Sequence, residues 1–306
     1  MHKPKVLQLP VCILVFLLTA CAPGSALQRH TVMSDGHPLA LWEKSAPGAS
    51  EAVLLVHGRT WSALPDFDLQ VDGEELSLMD GLVQEGFAVF AVDLRGYGQT
   101  PRDETEWLTP NRAADDVATV LDWIDEAGNW QHRPHLFGWS MGSTISQLAV
   151  QRHQDAAGSL TLFGYWRDAD IVLPADKPGI VPRKQINTAE AAASDFITPG
   201  SISRKAIQAY VDAALAADPV RVDVRGVDQY NQLDGSKINV PTLVIVGEFD
   251  PIAPAEFQEK LYRSIATGHK QYVTVPGGDH AAFLETPRAY FIHELVAFLQ
   301  GVSLSN

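Results

Sequence analysis

Cysteine is close to absent from this chain. Its 306 residues include two, Cys12 and Cys21, both near the N-terminus. The rest of the chain can therefore form neither a disulfide nor a thiolate metal site, and its stability has to come from an apolar core. Basic residues are scarce too: Lys and Arg number 23 against 37 Asp and Glu, a net charge of −14. Such a surface repels phosphate backbones, and no basic run is interleaved with aromatics, so no nucleic-acid partner is expected. No His, Asp and Glu spacing suits a metal, and no glycine-rich phosphate loop follows a predicted strand. Neither a metal nor a cofactor is expected. Internal repeats and low-complexity tracts are missing as well. The remaining composition is ordinary, 46% hydrophobic and 20% charged, and fits one large domain with an insertion or two small ones.

The first twenty residues read as a targeting signal. Lys3 and Lys5 give a positive start, and Val11 to Leu18 is an apolar run too short to span a bilayer. Leu18-Thr19-Ala20-Cys21 resembles the bacterial lipobox. That resemblance implies cleavage before Cys21, a lipid on this cysteine, and a membrane tether without insertion. Ala22 follows where an Asp would retain the protein at the inner membrane, so a Gram-negative host would sort it to the outer one. The competing reading is a plain secretory signal with a chance cysteine. The expected organisation is a signal over 1–20, a tether over 21–28 and a globular domain over 29–306.

Within that domain, Arg29 to Lys44 predicts a hairpin turning at Ser34-Asp35-Gly36. Ala52 to His57 and Phe87 to Asp93 are continuous, largely apolar runs, the mark of strands buried on both faces of a parallel sheet. Leu76, Met79, Leu82 and Val83 recur at helical spacing between them, with Gly86 as a stop. Pro110 to Ala127 predicts a helix with Thr109 as N-cap and a stripe of Val117, Val120, Leu121 and Ile124. Further strands are expected at His135, Ser159, Pro241 and Gln271, with closing helices over 254–266 and 287–300. Strands alternating with helices predict an α/β fold: a mostly parallel sheet covered on both faces. The alternation breaks between Tyr165 and Val240, where five prolines punctuate two short helical patterns. This predicts an inserted, mainly helical cap over about 166–238, because the strand pattern resumes directly after it.

Ligands in such sheets bind beyond the carboxyl ends of the strands, so the residues just after each strand carry the functional reading. They are His57-Gly58-Arg59, Asp93 to Gly98, Gly138-Trp139-Ser140-Met141-Gly142, Glu248-Phe249-Asp250 and Gly278-Asp279-His280. The third is G-x-S-x-G between a strand and a helix, a turn so tight that its glycines relieve crowding and its serine projects outward. Taken together these linked motifs resemble the α/β-hydrolase superfamily, in particular its serine hydrolases of esterase and lipase type. The resemblance covers Ala52 to the C-terminus, the cap excepted.

It implies a nucleophile, an orienting acid and a base in chain order. Ser140 needs a base to take its proton, His280 titrates close to working pH, and Asp250 would hold the imidazole tautomer and stabilise the imidazolium. The backbone N–H groups of Met141 and Arg59 are expected to form an oxyanion hole. Glu248 and Asp279 are the alternative acids. Glu248 stands two residues from the usual place, and Asp279 is a sequence neighbour of His280 that rarely has the needed geometry. His57 is expected as scaffold rather than base, and Asp93 and Arg95 as loop braces. The Arg59 side chain either lines the pocket or points to solvent. Trp61, Trp139 and Trp166, with Phe67, are candidates for an aromatic wall.

A serine at the elbow argues against the dehalogenases and epoxide hydrolases of this superfamily, which place Asp there. The expected reaction is acyl transfer to water from a small-molecule ester or lactone. The alternative is an exported aminopeptidase-like hydrolase of small peptides, which needs a cap carboxylate for the substrate amine. Asp168, Asp170, Glu190 and Asp195 are available for that. A ligand-binding homologue without turnover is the remaining reading.

Overall fold

The computed structural model describes residues 26–304. The predicted signal and Cys21 lie outside the described residues. Ten strands and eight helices follow one another: β1 (Gln28–Ser34), β2 (His37–Ser45), β3 (Ala52–Val56), α1 (Ala63–Phe67), α2 (Leu78–Gln84), β4 (Ala88–Val92), β5 (Trp107–Leu108), α3 (Pro110–Ala127), β6 (His135–Trp139), α4 (Met141–Arg152), β7 (Ser159–Phe163), α5 (Ala189–Ala193), α6 (Arg204–Ala217), β8 (Asp223–Val224), β9 (Thr242–Gly247), α7 (Ala255–Ser264), β10 (Lys270–Val275) and α8 (Arg288–Ser303).

Eight strands form one sheet in the order β1-β2-β4-β3-β6-β7-β9-β10. The hairpin β1–β2 pairs antiparallel with itself and with β4, and all other pairs are parallel. The chain enters the parallel part at β3, steps outward to β4, and returns to the far side of β3 as β6. Successive connections leave β3 and β6 in opposite directions, and the crevice opened between them is where such sheets bind ligands.

The continuous apolar runs become strands buried on both faces because alternate side chains enter two separate cores. Leu54, Val56, Phe90 and Leu136 pack with Val117, Leu121 and Ile124 of α3 and Ile145 and Leu148 of α4. Val53, Leu55, Val89 and Phe137 pack on the other face with Leu82 of α2 and Phe291, Leu295 and Phe298 of α8. Each core side chain of leucine size contributes about 2 kcal/mol of burial relative to exposure, which is how the fold manages without disulfides.

Three local features go beyond the sequence reading. Residues 63–67 form α1, where Pro65 sits in the first turn and its missing N–H leaves no bond unmade. Thr109 does stand at the N-cap of α3, but its side chain makes no cap bond and Pro110 alone starts the helix. The two-residue strands β5 and β8 pair in parallel as a second small sheet, too short for any periodic signal. The β7–β9 connection carries α5 and α6, capped by the Thr188 and Ser203 hydroxyls, which accept from Ala191 N–H and Ala206 N–H.

Candidate active site

The turn from β6 into α4 is as tight as its sequence implies. Ser140 has φ 54°, in the left-handed region that side chains avoid. A Cβ at Gly138 would lie 2.4 Å from the Gly142 carbonyl oxygen, and one at Gly142 would lie 2.1 Å from that of Val56. Backbone therefore passes where side chains would have to be. The Ser140 N–H donates to the Phe163 carbonyl at 2.9 Å, fixing the turn against β7.

His280 follows β10, and its Nε2 lies 2.9 Å from Ser140 Oγ. Its Nδ1 lies 2.8 Å from Asp250 Oδ2, in the loop after β9. The other Asp250 oxygen accepts from the N–H groups of Ile252 at 2.9 Å and Ala253 at 3.0 Å. A carboxylate facing Nδ1 requires the proton there, which leaves Nε2 to accept from the serine hydroxyl. Neither alternative acid has this geometry. Glu248 accepts from Gly277 N–H, and the Asp279 oxygens accept from Thr198 and Ala281 N–H. Trp139 braces the imidazole from below: its Nε1 donates to the His280 carbonyl at 2.6 Å, and the rings stand 5.6 Å apart.

The sequence gives no hint of one further residue at this corner. Gly164, just past β7, has φ 61°, and a Cβ there would come 2.8 Å from His280 Cε1 and 3.0 Å from Nδ1. The imidazole occupies the volume that a side chain at 164 would fill.

Beside Ser140, the N–H groups of Arg59 and Met141 donate to no other group among the described residues and border the same cavity. The loop carrying Arg59 is tied from several sides. His57 Nε2 accepts from Leu94 N–H at 3.1 Å, so its protonated Nδ1 donates to the Gly58 carbonyl at 2.8 Å. Burial pushes the His57 pKa down to about 4, so it stays neutral and serves as scaffold. Tyr97 O–H donates to the Arg59 carbonyl. Asp93 accepts from Trp42 Nε1 and from the N–H groups of Ala63 and Gln99, each at 3.0 Å, and burial pushes it up to about 6. Arg95 pairs with Asp116 at 2.7 Å. Both act as loop braces.

The cavity above Ser140 holds about 400 Å³. Trp61, Trp139 and Trp166 all border it, as does Arg59. Phe67 does not: α1 turns it into the core against Phe137 and Phe283. From the β7–β9 connection, Asp195, Arg221, Val224, Val227 and Tyr230 border the cavity. Of the four carboxylates considered for a substrate amine, only Asp195 borders the cavity. Asp168 and Asp170 pair with Lys260, and Glu190 is exposed on α5.

Sequence reasoning missed Asp66, Asp218 and Arg221 here, which carry no motif. Tyr210 O–H lies 2.8 Å from Asp66 and 3.1 Å from Asp195. A single hydroxyl proton cannot serve both carboxylates, so this pair needs a further proton. Burial supplies the bias, pushing Asp66 well up and Asp195 up to about 6. Asp218, at the end of α6, accepts from Ser62 N–H at 2.8 Å and Gly98 N–H at 2.9 Å. It thereby binds the connection to the loops after β3 and β4. Among the described residues no group of three or more His, Cys, Asp or Glu could hold a metal, and no helix is long and apolar enough to cross a membrane.

Comparison with known proteins agrees with this architecture. Residues 49–287 match the family described as "Serine aminopeptidase, S33". The chain is 29% identical over 232 residues to an AB hydrolase superfamily protein of Bacillus subtilis, covering 68% of this chain and 80% of that one. It is 27% identical over 278 residues to a pimeloyl-(acyl-carrier protein) methyl ester esterase of Neisseria meningitidis, covering 81% and 93%. Among solved structures, a thermophilic esterase from Thermogutta terrifontis superposes with a TM-score of 0.59 at 23% identity, covering 90% of this chain and 99% of that one. The chain belongs to this serine aminopeptidase family and is a hydrolase of the α/β-hydrolase superfamily.

Proposed function

We propose that the protein is a serine hydrolase that cleaves a carboxylic ester or lactone through an acyl-enzyme. The observation that carries this reading is the hydrogen-bonded line Asp250–His280–Ser140 opening into a cavity beside two uncommitted N–H groups. Ser140 Oγ attacks the carbonyl carbon while His280 Nε2 takes its proton, and Asp250 stabilises the imidazolium formed. The N–H groups of Arg59 and Met141 receive the developing oxyanion, where loss of one such donor typically costs ~3 kcal/mol. Collapse expels the alcohol with the proton from His280. Water then enters, His280 deprotonates it, and the acid is released. No step needs a cofactor.

The apolar wall formed by Trp166, Val224, Val227 and Tyr230 suits a medium-sized apolar group of the substrate. Two of the similar proteins are named as esterases, which supports an ester over an amide. The aminopeptidase-like reading draws support from the family description and from Asp195, a carboxylate in the cavity wall. Rates on p-nitrophenyl esters of increasing chain length, set beside amino-acid anilides, separate the two. Esters should turn over faster, and faster anilide cleavage would replace this reading with the peptidase one. A non-catalytic homologue would cleave neither.

We further propose that the β7–β9 connection acts as a cap over the cavity and that Cys21 carries a lipid anchoring the protein to the cell envelope, at the outer membrane in a Gram-negative host. Radiolabelled palmitate should enter the wild type and not Cys21→Ser. Equal absence from both would leave a secreted protein without an anchor.

A further inference from the structure

The rim of the cavity carries cations that the fold does not use. In a chain with 37 acidic and 23 basic residues, each arginine has many carboxylates to pair with. Arg95 has Asp116 and Asp103, and Arg225 has Asp223 at 2.7 Å. Arg102 donates to the carbonyls of Val220 and Arg221. Arg59 and Arg183, both exposed, and the half-buried Arg221 differ: among the described residues none of their guanidinium groups forms an ion pair. The Arg221 guanidinium donates to Thr60 Oγ1 at 3.1 Å, and among the described residues those of Arg59 and Arg183 make no hydrogen bond.

These three residues border one recess of about 190 Å³, and Arg59 and Arg221 border the main cavity as well. The recess therefore adjoins the cavity that Ser140 borders. Arg221 is held from both directions, by its N–H on the Gln185 carbonyl at 2.8 Å and by its side chain on Thr60. The carboxylate at the recess, Asp223, is already engaged by Arg225 and by the Arg183 N–H at 2.9 Å. The two carboxylates of the main cavity, Asp66 and Asp195, converge on Tyr210. Asp195 attracts Arg221 at longer range, but none of the three guanidinium groups has a carboxylate in ion-pair contact, and cations so placed mark a place for a charge brought by the ligand. The guanidinium fork matches the two oxygens of a carboxylate or phosphate.

We propose that the substrate is an ester bearing an anionic group, a carboxylate or a phosphate, remote from its scissile carbonyl, and that Arg59, Arg221 and Arg183 bind this group while the carbonyl lies at Ser140. The proposal deepens the ester-hydrolase reading and rests on it for the position of the carbonyl. Arg59 then serves twice, through its N–H at the carbonyl and its guanidinium at the far end. The separation of the two substrate groups is set by one arginine side chain, so short half-esters fit and long ones do not.

Binding can be tested independently of turnover. Calorimetry on Ser140→Ala would compare monoethyl adipate, ethyl 6-phosphonohexanoate and neutral diethyl adipate. At least one anionic ester should bind tenfold or more tightly than the diester, and which one does so distinguishes carboxylate from phosphate. Added Arg221→Gln should remove most of that preference, and Arg221→Lys should restore part of it. The preference should also shrink as salt is raised. Equal binding of all three esters, or a preference untouched by Arg221→Gln, would overturn the proposal. On the wild type, the p-nitrophenyl monoester of adipate should show a kcat/KM at least tenfold above p-nitrophenyl hexanoate, mainly through KM. If neither ester is hydrolysed but the binding preference stands, the ester-hydrolase reading fails and the anion site survives.

Discussion

The loops at the ends of β3, β6, β9 and β10 and the β7–β9 connection meet over the same cavity, yet they are held in different ways. The strand-end loops are gripped by backbone. Ser140 N–H is fixed on β7, and Asp250 takes two N–H groups of its own loop. The connection runs from 166 to 187 without helix or strand, and leaves Val172 and Val181 81% and 75% exposed. It is fastened at points: Asp218 on two loops, Tyr210 on Asp66, Asp279 on Thr198 N–H at 2.6 Å, and Glu285 on Ser201 Oγ at 2.7 Å. Segments with few buried contacts open at lower free energy than core strands. The groups proposed to react thus sit on the stiff part of the molecule, and the walls proposed to choose the substrate sit on the part held at fewer points.

Substitutions can break this contrast or sharpen it. Asp250→Asn keeps the shape of the strand-end site but removes the charge that fixes the His280 tautomer, and should lower kcat by about 10⁴-fold with little change in thermal stability. A drop below tenfold would move the orienting role to another group.

The fastening of the connection should show in stability instead. Burial pushes Glu285 up to about 7 from 4.5. Its contribution is therefore complete below pH 4.5 and is lost as the pH rises through 7. Gln fits the site, because its oxygen can accept from Asp279 N–H and its amide can donate to Ser201 Oγ. Relative to Glu285→Gln, the wild type should lose about 3 kcal/mol across that interval, read from denaturant unfolding at a series of pH values. A difference independent of pH would mean that Glu285 reaches solvent.

Gly164→Ala returns to the stiff part. The added methyl displaces the imidazole, and a misplacement of this kind costs about 100-fold in kcat. Unchanged kcat would show that the ring has more room than the geometry gives it. Tyr210→Phe should have the smallest effect on turnover, with kcat kept and about 2 kcal/mol of stability lost, since it takes the shared donor from Asp66 and Asp195 and touches no group proposed to react.

The stiff part was legible in the chain and the other part was not, for a physical reason. Gly138, Ser140 and Gly142 announce themselves because a turn this tight tolerates few residues, and strands buried on two faces read as apolar runs. Asp250 and His280 stand at strand ends where such sheets place their ligands. Arg221 and Asp195 reach the cavity from irregular stretches and Tyr230 from a short 3₁₀ helix (Val227–Gln232), none of which leaves a clear period in the sequence. Asp66 was hidden differently: it lies on α1, a single turn of helix beginning Ala-Leu-Pro, which reads as a loop. Phe67, one residue further, reads as a wall residue in the sequence and belongs to the core because that turn rotates it inward. Gly164 could have been found only by asking what the imidazole must displace.

The central claim is that Ser140 is an activated nucleophile, and mass spectrometry after treatment with a fluorophosphonate tests it most directly. The account predicts one phosphonyl group per chain, on the peptide containing Ser140, absent from Ser140→Ala and slow to form in Asp250→Asn. A folded wild-type protein that takes up no label, or takes it up at another residue, would contradict it.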